Sequence, residues 1–277
     1  MVEKIKLALE RAYQEREGAS NNIASRRSQT SVAINPGPAS ASVEYLSQNE
    51  LANTKYSIVD IERLRDHRIV TYDDQNENIE SFRRLRSQVL HYVDTAGIST
   101  IGITSPSSQE GKTLAAVNLA ISLVRNSDTN VVLVDGDISN PSIHDVFGLD
   151  VQFGMVDILN SSVGITDVIQ RVNIPNLWIV PGRQDTISLS NQANSNRVDE
   201  LVNDFSLGAK TIVIVDLPPI LGKDDTLVFT SSLDGVLLVV NEGETKSDEV
   251  VRAAGLLKQC NVIGTILNNS SQQISGV

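Results

Sequence analysis

The chain has 277 residues, 40% of them hydrophobic and 21% charged, which is enough to bury a sizeable core. Lys and Arg number 23 and Asp and Glu 34, and the resulting net charge of −11 has the wrong sign for a nucleic-acid-binding face. The one cysteine excludes an internal disulfide, the three histidines are too scattered for a metal site, and apolar runs of about five residues are far short of the roughly 20 that span a bilayer.

At the N-terminus, Ile5, Leu9 and Ala12 recur at helical spacing among Lys, Arg and Glu, so residues 1–17 are expected to form a short amphipathic helix. The segment carries charge throughout and has no apolar stretch of the secretory kind, which places the expected protein in the cytoplasm. Residues 18–44 have the Ser, Asn, Ala, Gly and Pro composition of a flexible linker, and residues 45–78 read as an arm on the main domain. A further helix is expected where Ile79, Phe82, Leu85, Val89 and Tyr92 recur.

Apolar runs and helical stretches then alternate. Strands are expected at Thr100–Thr104, Val131–Val134, Leu177–Val180, Thr211–Val215, Val236–Val240 and Val262–Leu267, and helices at Thr113–Arg125, Arg197–Phe205 and Ser247–Gln259. Nearly unbroken Val, Ile and Leu suit strands covered on both faces. The repetition implies a three-layer α/β domain over residues 79–268, with a mainly parallel central sheet.

The stretch from Ile101 to Thr113 leaves a strand, passes Ser105-Pro-Ser-Ser-Gln-Glu-Gly-Lys-Thr113 and enters a helix, the setting of a phosphate-binding turn. There the loop amides of Ser108, Gln109, Glu110, Gly111, Lys112 and Thr113 and the positive end of the helix dipole would meet an anion. Lys112 adds a charge able to reach β and γ phosphates, and Thr113 a hydroxyl for Mg²⁺. The motif is imperfect, because Pro106 stands where a full phosphate loop has Gly, and an ordinary helix start with a surface lysine would look similar.

Two strand ends decide the matter. Val131-Val-Leu-Val-Asp135-Gly-Asp137 and Thr211-Ile-Val-Ile-Val-Asp216-Leu-Pro-Pro219 deliver carboxylates to the carboxyl edge of the sheet, where parallel sheets bind ligands. Asp135, Asp137 and Asp216 would converge near Lys112, to hold Mg²⁺ or to orient an attacking group.

These segments resemble the Walker A, A′ and B motifs of the bacterial tyrosine kinases of capsule and exopolysaccharide biosynthesis, within the ParA/MinD-like P-loop ATPases. Glu80, Arg83 and Arg86 are similar to that family's ExxRxxR motif, which implies contact between subunits of a homo-oligomeric ring. Val59 to Arg65, Ile69 to Thr71 and Leu177 to Gly182 resemble the variant found beside exosortase-type gene clusters. The resemblance implies ATP and Mg²⁺ as cofactors and a membrane polysaccharide co-polymerase of the chain-length-determinant type as partner, holding the protein at the inner membrane. It further implies Thr113, Asp135 and Asp216 around the metal, Lys112, Asp135 and Asp137 in catalysis, with Asp137 taking the acceptor's proton, and Asn268 at the adenine edge.

Three positions depart from the pattern. Gln109 stands where the family has Gly, Ser139 where it has Arg, and Ser107 where ParA and MinD relatives carry a second lysine. The tail, residues 269–277, carries no tyrosine cluster, and the last tyrosine of the sequence is Tyr92, so autophosphorylation in this tail is not expected. Two alternatives therefore stand beside the kinase reading: a regulator that only hydrolyses or binds ATP, and a ParA/MinD-like positioning ATPase.

Overall fold

Successive side chains of a strand point to opposite faces, so a strand buried on both sides feeds two cores at once. In the computed structural model this is what the central strands do. It describes residues 54–270, apart from 74–75, 77, 126–127, 186–197, 199, 203–204, 206–209 and 223–224. The expected N-terminal helix, the linker and the start of the arm lie outside the described residues, as does part of the expected Arg197–Phe205 helix.

The elements in chain order are β1 (Lys55–Ser57), α1 (Ile61–Asp66), α2 (Ile79–Ala96), β2 (Thr100–Thr104), α3 (Lys112–Arg125), β3 (Asn130–Asp135), α4 (Ile143–Phe147), α5 (Met155–Leu159), α6 (Ile165–Val168), β4 (Gln170–Val172), β5 (Leu177–Val180), β6 (Thr211–Asp216), α7 (Asp225–Ser232), β7 (Gly235–Asn241), α8 (Ser247–Leu256) and β8 (Val262–Asn268). The strands form one eight-stranded sheet in the order β1-β4-β5-β3-β6-β2-β7-β8. Every neighbouring pair is parallel except β4 with β5. The sheet and its helical layers match the fold expected from the sequence.

Val131 and Leu133 of β3, Ile212 and Ile214 of β6, and Ile101 and Ile103 of β2 enter a core shared with α2, α3 and α4. Their neighbours Val132, Val134, Val213 and Val215 face the other way, into a core with α5, α6 and Phe229 of α7. Val236, Leu238 and Val240 of β7 meet Val250 and Ala253 of α8 on that second face. Three layers result directly from this alternation.

Of the residues expected as an arm, Lys55–Ser57 join the sheet. β1 pairs with β4 at the edge, Lys55 Nζ lies 2.9 Å from Asp150 Oδ2, and the Val59 amide donates to Asn173 Oδ1 at 2.9 Å. Beyond them, Asn118 in the middle of α3 is fully buried and holds the segment before α2. Its Oδ1 accepts from the amides of Val70 (2.9 Å) and Thr71 (3.1 Å), and its Nδ2 donates to the Leu114 carbonyl at 2.9 Å. Asn118→Leu keeps the volume but strands both amides. We expect a loss of about 2 kcal/mol or more, a fall of roughly 4–8 °C in a thermal melt. An unchanged melting temperature would show that water satisfies those amides.

Candidate functional site

The carboxyl ends of β2, β3 and β6 lie side by side, because β6 pairs with both β3 and β2. Asp135 and Asp216 are directly opposed in the β3–β6 register, and Ile103, next to the end of β2, is opposed to Asp216 on its other side. Strand pairing alone thus sets two carboxylates beside the turn after β2.

That turn is fastened at its start. Thr104 Oγ1 donates to the Pro218 carbonyl at 2.8 Å, and the amides of Ile220 and Leu221 donate to the carbonyls of Ser105 (2.9 Å) and Pro106 (3.2 Å). The two prolines after β6 therefore lie along the first half of the loop. The second half turns sharply, with φ of +63° at Gln109 and +91° at Gly111. Glycine adopts such angles freely, whereas a side-chain-bearing residue such as Gln109 is held there at a cost of about 1 kcal/mol. The expectation that a glycine position of the resembling family demands a positive φ is met in this geometry.

Lys112 opens α3 and is only 9% exposed, so its ammonium is confined to the rim. Thr113 Oγ1 donates to Asp216 Oδ2 at 2.5 Å and lies 3.0 Å from Ser142 Oγ. Asp135 Oδ2 accepts from the amides of Ser142 (2.8 Å) and Ile143 (2.9 Å) at the start of α4. Asp137 is buried too, and its Oδ1 accepts from the Asn140 amide at 3.1 Å. Gly182 makes room for this cluster, since a Cβ there would lie 2.9 Å from Asp135 Cγ and 2.5 Å from Pro141 Cβ.

Asp135 Oδ1 and Asp216 Oδ1 are buried with no hydrogen-bond partner. Burial, and next the Asp216 charge, pushes the Asp135 carboxyl up to about 8; burial pushes Asp216 up to about 7, opposed by the Thr113 hydroxyl and the Lys112 charge. Two orphaned carboxylate oxygens and a threonine hydroxyl are hard oxygen donors of the kind Mg²⁺ takes while keeping several waters. Among the described residues no group of three or more His, Cys, Asp or Glu side chains forms a metal cage.

Asn268 ends β8 next to the loop and spends its amide on it, Nδ2 donating to the Glu110 carbonyl at 3.0 Å. Glu80, Arg83 and Arg86 lie on α2, away from the rim, and divide into two kinds. Arg86 turns toward α3, 3.4 Å from Ser122 Oγ, and burial followed by the Arg83 charge holds its guanidinium below the ordinary value. Arg83 and Glu80 stay 41% and 57% exposed and 3.7 Å apart.

The sequence reading missed a cavity of about 640 Å³ beside the rim, lined by Ser139, Asn140, Ser142, His144 and Arg183 among others. Arg183 is fixed there by a bidentate pair with Asp157, at 2.8 and 2.6 Å. The pair spans residues 26 apart, and no local pattern announces it.

The ParA family model, described as NUBPL iron-transfer P-loop NTPase, matches residues 99–275. Tyrosine-protein kinase YwqD of Bacillus subtilis is 26% identical over 208 residues, covering 74% of this chain and 87% of that protein. Tyrosine-protein kinase ptk of Acinetobacter johnsonii is 26% identical over 200 residues, covering 72% of this chain but only 27% of the larger relative. Among solved structures, the chimerical protein CapA2B2 superposes with a TM-score of 0.64 at 25% identity, covering 79% of this chain and 94% of that one. The kinase domain of the Escherichia coli tyrosine kinase ETK gives 0.65 at 21%, covering 87% and 100%. MinD of Pyrococcus horikoshii, solved with Mg-ADP, gives 0.54 at 23%, covering 64% and 72%; these last two likenesses concern the fold.

Proposed function

Since the chain belongs to the ParA family of P-loop NTPases, we propose that it binds Mg-ATP at this rim and transfers the γ-phosphoryl group to a tyrosine hydroxyl of a partner protein. The reading includes regulation of exopolysaccharide assembly from the cytoplasmic side, in contact with a membrane co-polymerase. The observation that carries it is the half-buried Thr113 against the buried Asp135 and Asp216, with two carboxylate oxygens left unpaired, directly beside a phosphate-type loop.

In this mechanism the loop amides from Ser108 to Thr113 and the Lys112 ammonium bind and align the β and γ phosphates. Thr113, Asp135 and Asp216 would hold the divalent ion, which when bound neutralises charge on the phosphate oxygens. Asp137 accepts the proton as the acceptor oxygen bonds to the γ phosphorus and ADP leaves. Asn268 supports the loop and, on this reading, borders the adenine. The relatives YwqD and ptk carry tyrosine kinase in their names, which supports this chemistry over the ParA/MinD-like positioning alternative, as does Ser107 in place of a second lysine.

The test is incubation with γ-labelled ATP, Mg²⁺ and the co-polymerase. Labelled phosphotyrosine on the partner, or on one of the N-terminal tyrosines up to Tyr92, is expected. Release of inorganic phosphate without phosphoprotein would favour the second reading, an ATPase-only regulator, which the strained Gln109 and the Ser139 departure support.

A ring assembled through α2 belongs to the same proposal. Glu80 and the half-buried Arg83, paired with each other on α2, would meet a neighbouring copy, whereas Arg86 contacts Ser122. Arg83→Ala is expected to lower the oligomer mass seen by light scattering and leave the melting temperature within about 2 °C. An unchanged mass would discard the ring contact.

A further inference from the structure

A side-chain-bearing residue keeps a left-handed backbone only where its surroundings hold it there. At Gln109 those surroundings come from far along the chain. Glu110, the next residue, is 4% exposed, and its Oε1 accepts a hydrogen bond from Thr245 Oγ1 at 2.9 Å. The same threonine oxygen accepts from the Asn241 amide at 2.8 Å, so the turn between β7 and α8 fixes the hydroxyl's direction. From the end of β8, Asn268 Nδ2 donates to the Glu110 carbonyl, and a Cβ on Gly111 would collide with that nitrogen. Glu110 Oε2 is buried without a hydrogen-bond partner, and the Ser107 amide and the Lys112 charge also draw on this carboxylate.

We propose that Thr245 is a positioning residue, whose hydrogen bond to Glu110 latches the strained half of the loop in the shape that accepts a nucleotide phosphate. The latch does for Gln109 what a glycine would do without help. The proposal rests on the nucleotide site proposed above and adds residues 241–245 to its support. It predicts that the latch and the strain depend on each other.

Thr245→Val removes the hydroxyl at nearly constant volume, Thr245→Ser retains it, and Gln109→Gly removes the strain. In titrations with a fluorescent N-methylanthraniloyl ATP and Mg²⁺, Thr245→Val is expected to weaken binding about fivefold in the native background, the equivalent of the strain at Gln109. In the Gln109→Gly background the loss is expected to be less than twofold, and Thr245→Ser is expected to bind within twofold of native. Equal losses in both backgrounds, or no loss in the native one, would overturn the latch.

Amide hydrogen exchange on the nucleotide-free chain separates this proposal from the one beneath it. Thr245→Val should speed exchange of residues 107–111 about fivefold in the native background and leave it unchanged with Gln109→Gly. If exchange follows that pattern while no ATP analogue binds, the latch stands and the nucleotide reading falls. If exchange is the same in all variants, the latch falls whatever binds.

Discussion

Asp216→Asn is expected to raise the heat stability of the nucleotide-free protein at pH 8 while abolishing Mg-ATP turnover. Asn can keep the acceptor that Thr113 Oγ1 uses, and it replaces the unpaired Oδ1 by a neutral amide beside the opposed Asp135. Burial pushes Asp216 up to about 7, and Asp135 up to about 8 with the further help of the Asp216 charge. Unfolded, both carboxyls titrate near 4. Between those limits the folded state holds protons that the unfolded state has released. Stability from these groups is therefore complete below about pH 4, falls as pH rises toward 7–8, and is gone above. The substitution removes one of the two buried charges, and the gain at pH 8 should be on the order of 2 kcal/mol. At pH 5, where the folded carboxyl is already protonated, the gain should be small. Thermal melts at the two pH values check the sign. A variant that melts no higher than the native chain at pH 8 would mean the charges are not buried against each other. Saturating Mg-ATP should reverse the order, because on the proposed reading Asp216 helps to hold the ion.

Why these carboxylates were legible in the sequence, and their supports were not, is a matter of range. β3, β6 and β7 are buried on both faces, so their interiors are Val, Ile and Leu, and an Asp ending such a run, as in β3 and β6, is conspicuous. β1 (Lys-Tyr-Ser) and β4 (Gln-Arg-Val) are three residues long and lie at one side of the sheet; they exist through pairing and through bonds such as Ser57 Oγ to Gln170 Oε1. Helices α4, α5 and α6 span only four or five residues, too short to show a 3.6-residue period. The backbone of Gln109 was legible only through the resemblance, because the family has Gly at that position and glycine is the residue favoured at positive φ. Thr245 signalled nothing, since its partner Glu110 is 135 residues away and any buried threonine looks alike in sequence. Arg86 shows the converse: its spacing from Glu80 and Arg83 suggested one shared surface, and contact with Ser122 of α3 sets it apart.

The largest effect on ligand affinity is expected at Lys112. The residue begins α3, where backbone N–H groups and the helix dipole already favour an anion, and its burial keeps the ammonium from being dispersed in solvent. Within the rim it is the cation that opposes the raised proton affinities of Asp216 and Glu110. Lys112→Ala removes one or two charge-assisted hydrogen bonds to phosphate, each worth about 1.5–3 kcal/mol, so ATP affinity should fall roughly a hundredfold or more. It also leaves two buried carboxylates without that counter-charge, so Asp216 should hold its proton to higher pH and give up Mg²⁺ more readily. Lys112→Arg keeps the charge but not the compact shape, and a wide planar guanidinium fits poorly at a helix start that admits an ammonium. Its affinity should lie between the two. ATP and ADP titrations of all three proteins, each with and without Mg²⁺, separate these effects. The loss on Lys112→Ala should be greater for ATP than for ADP, because on the proposed reading the ammonium reaches the γ phosphate as well as the β. An equal loss for both nucleotides would place Lys112 at the β phosphate alone, and no loss for either would remove the phosphate-binding role of the loop.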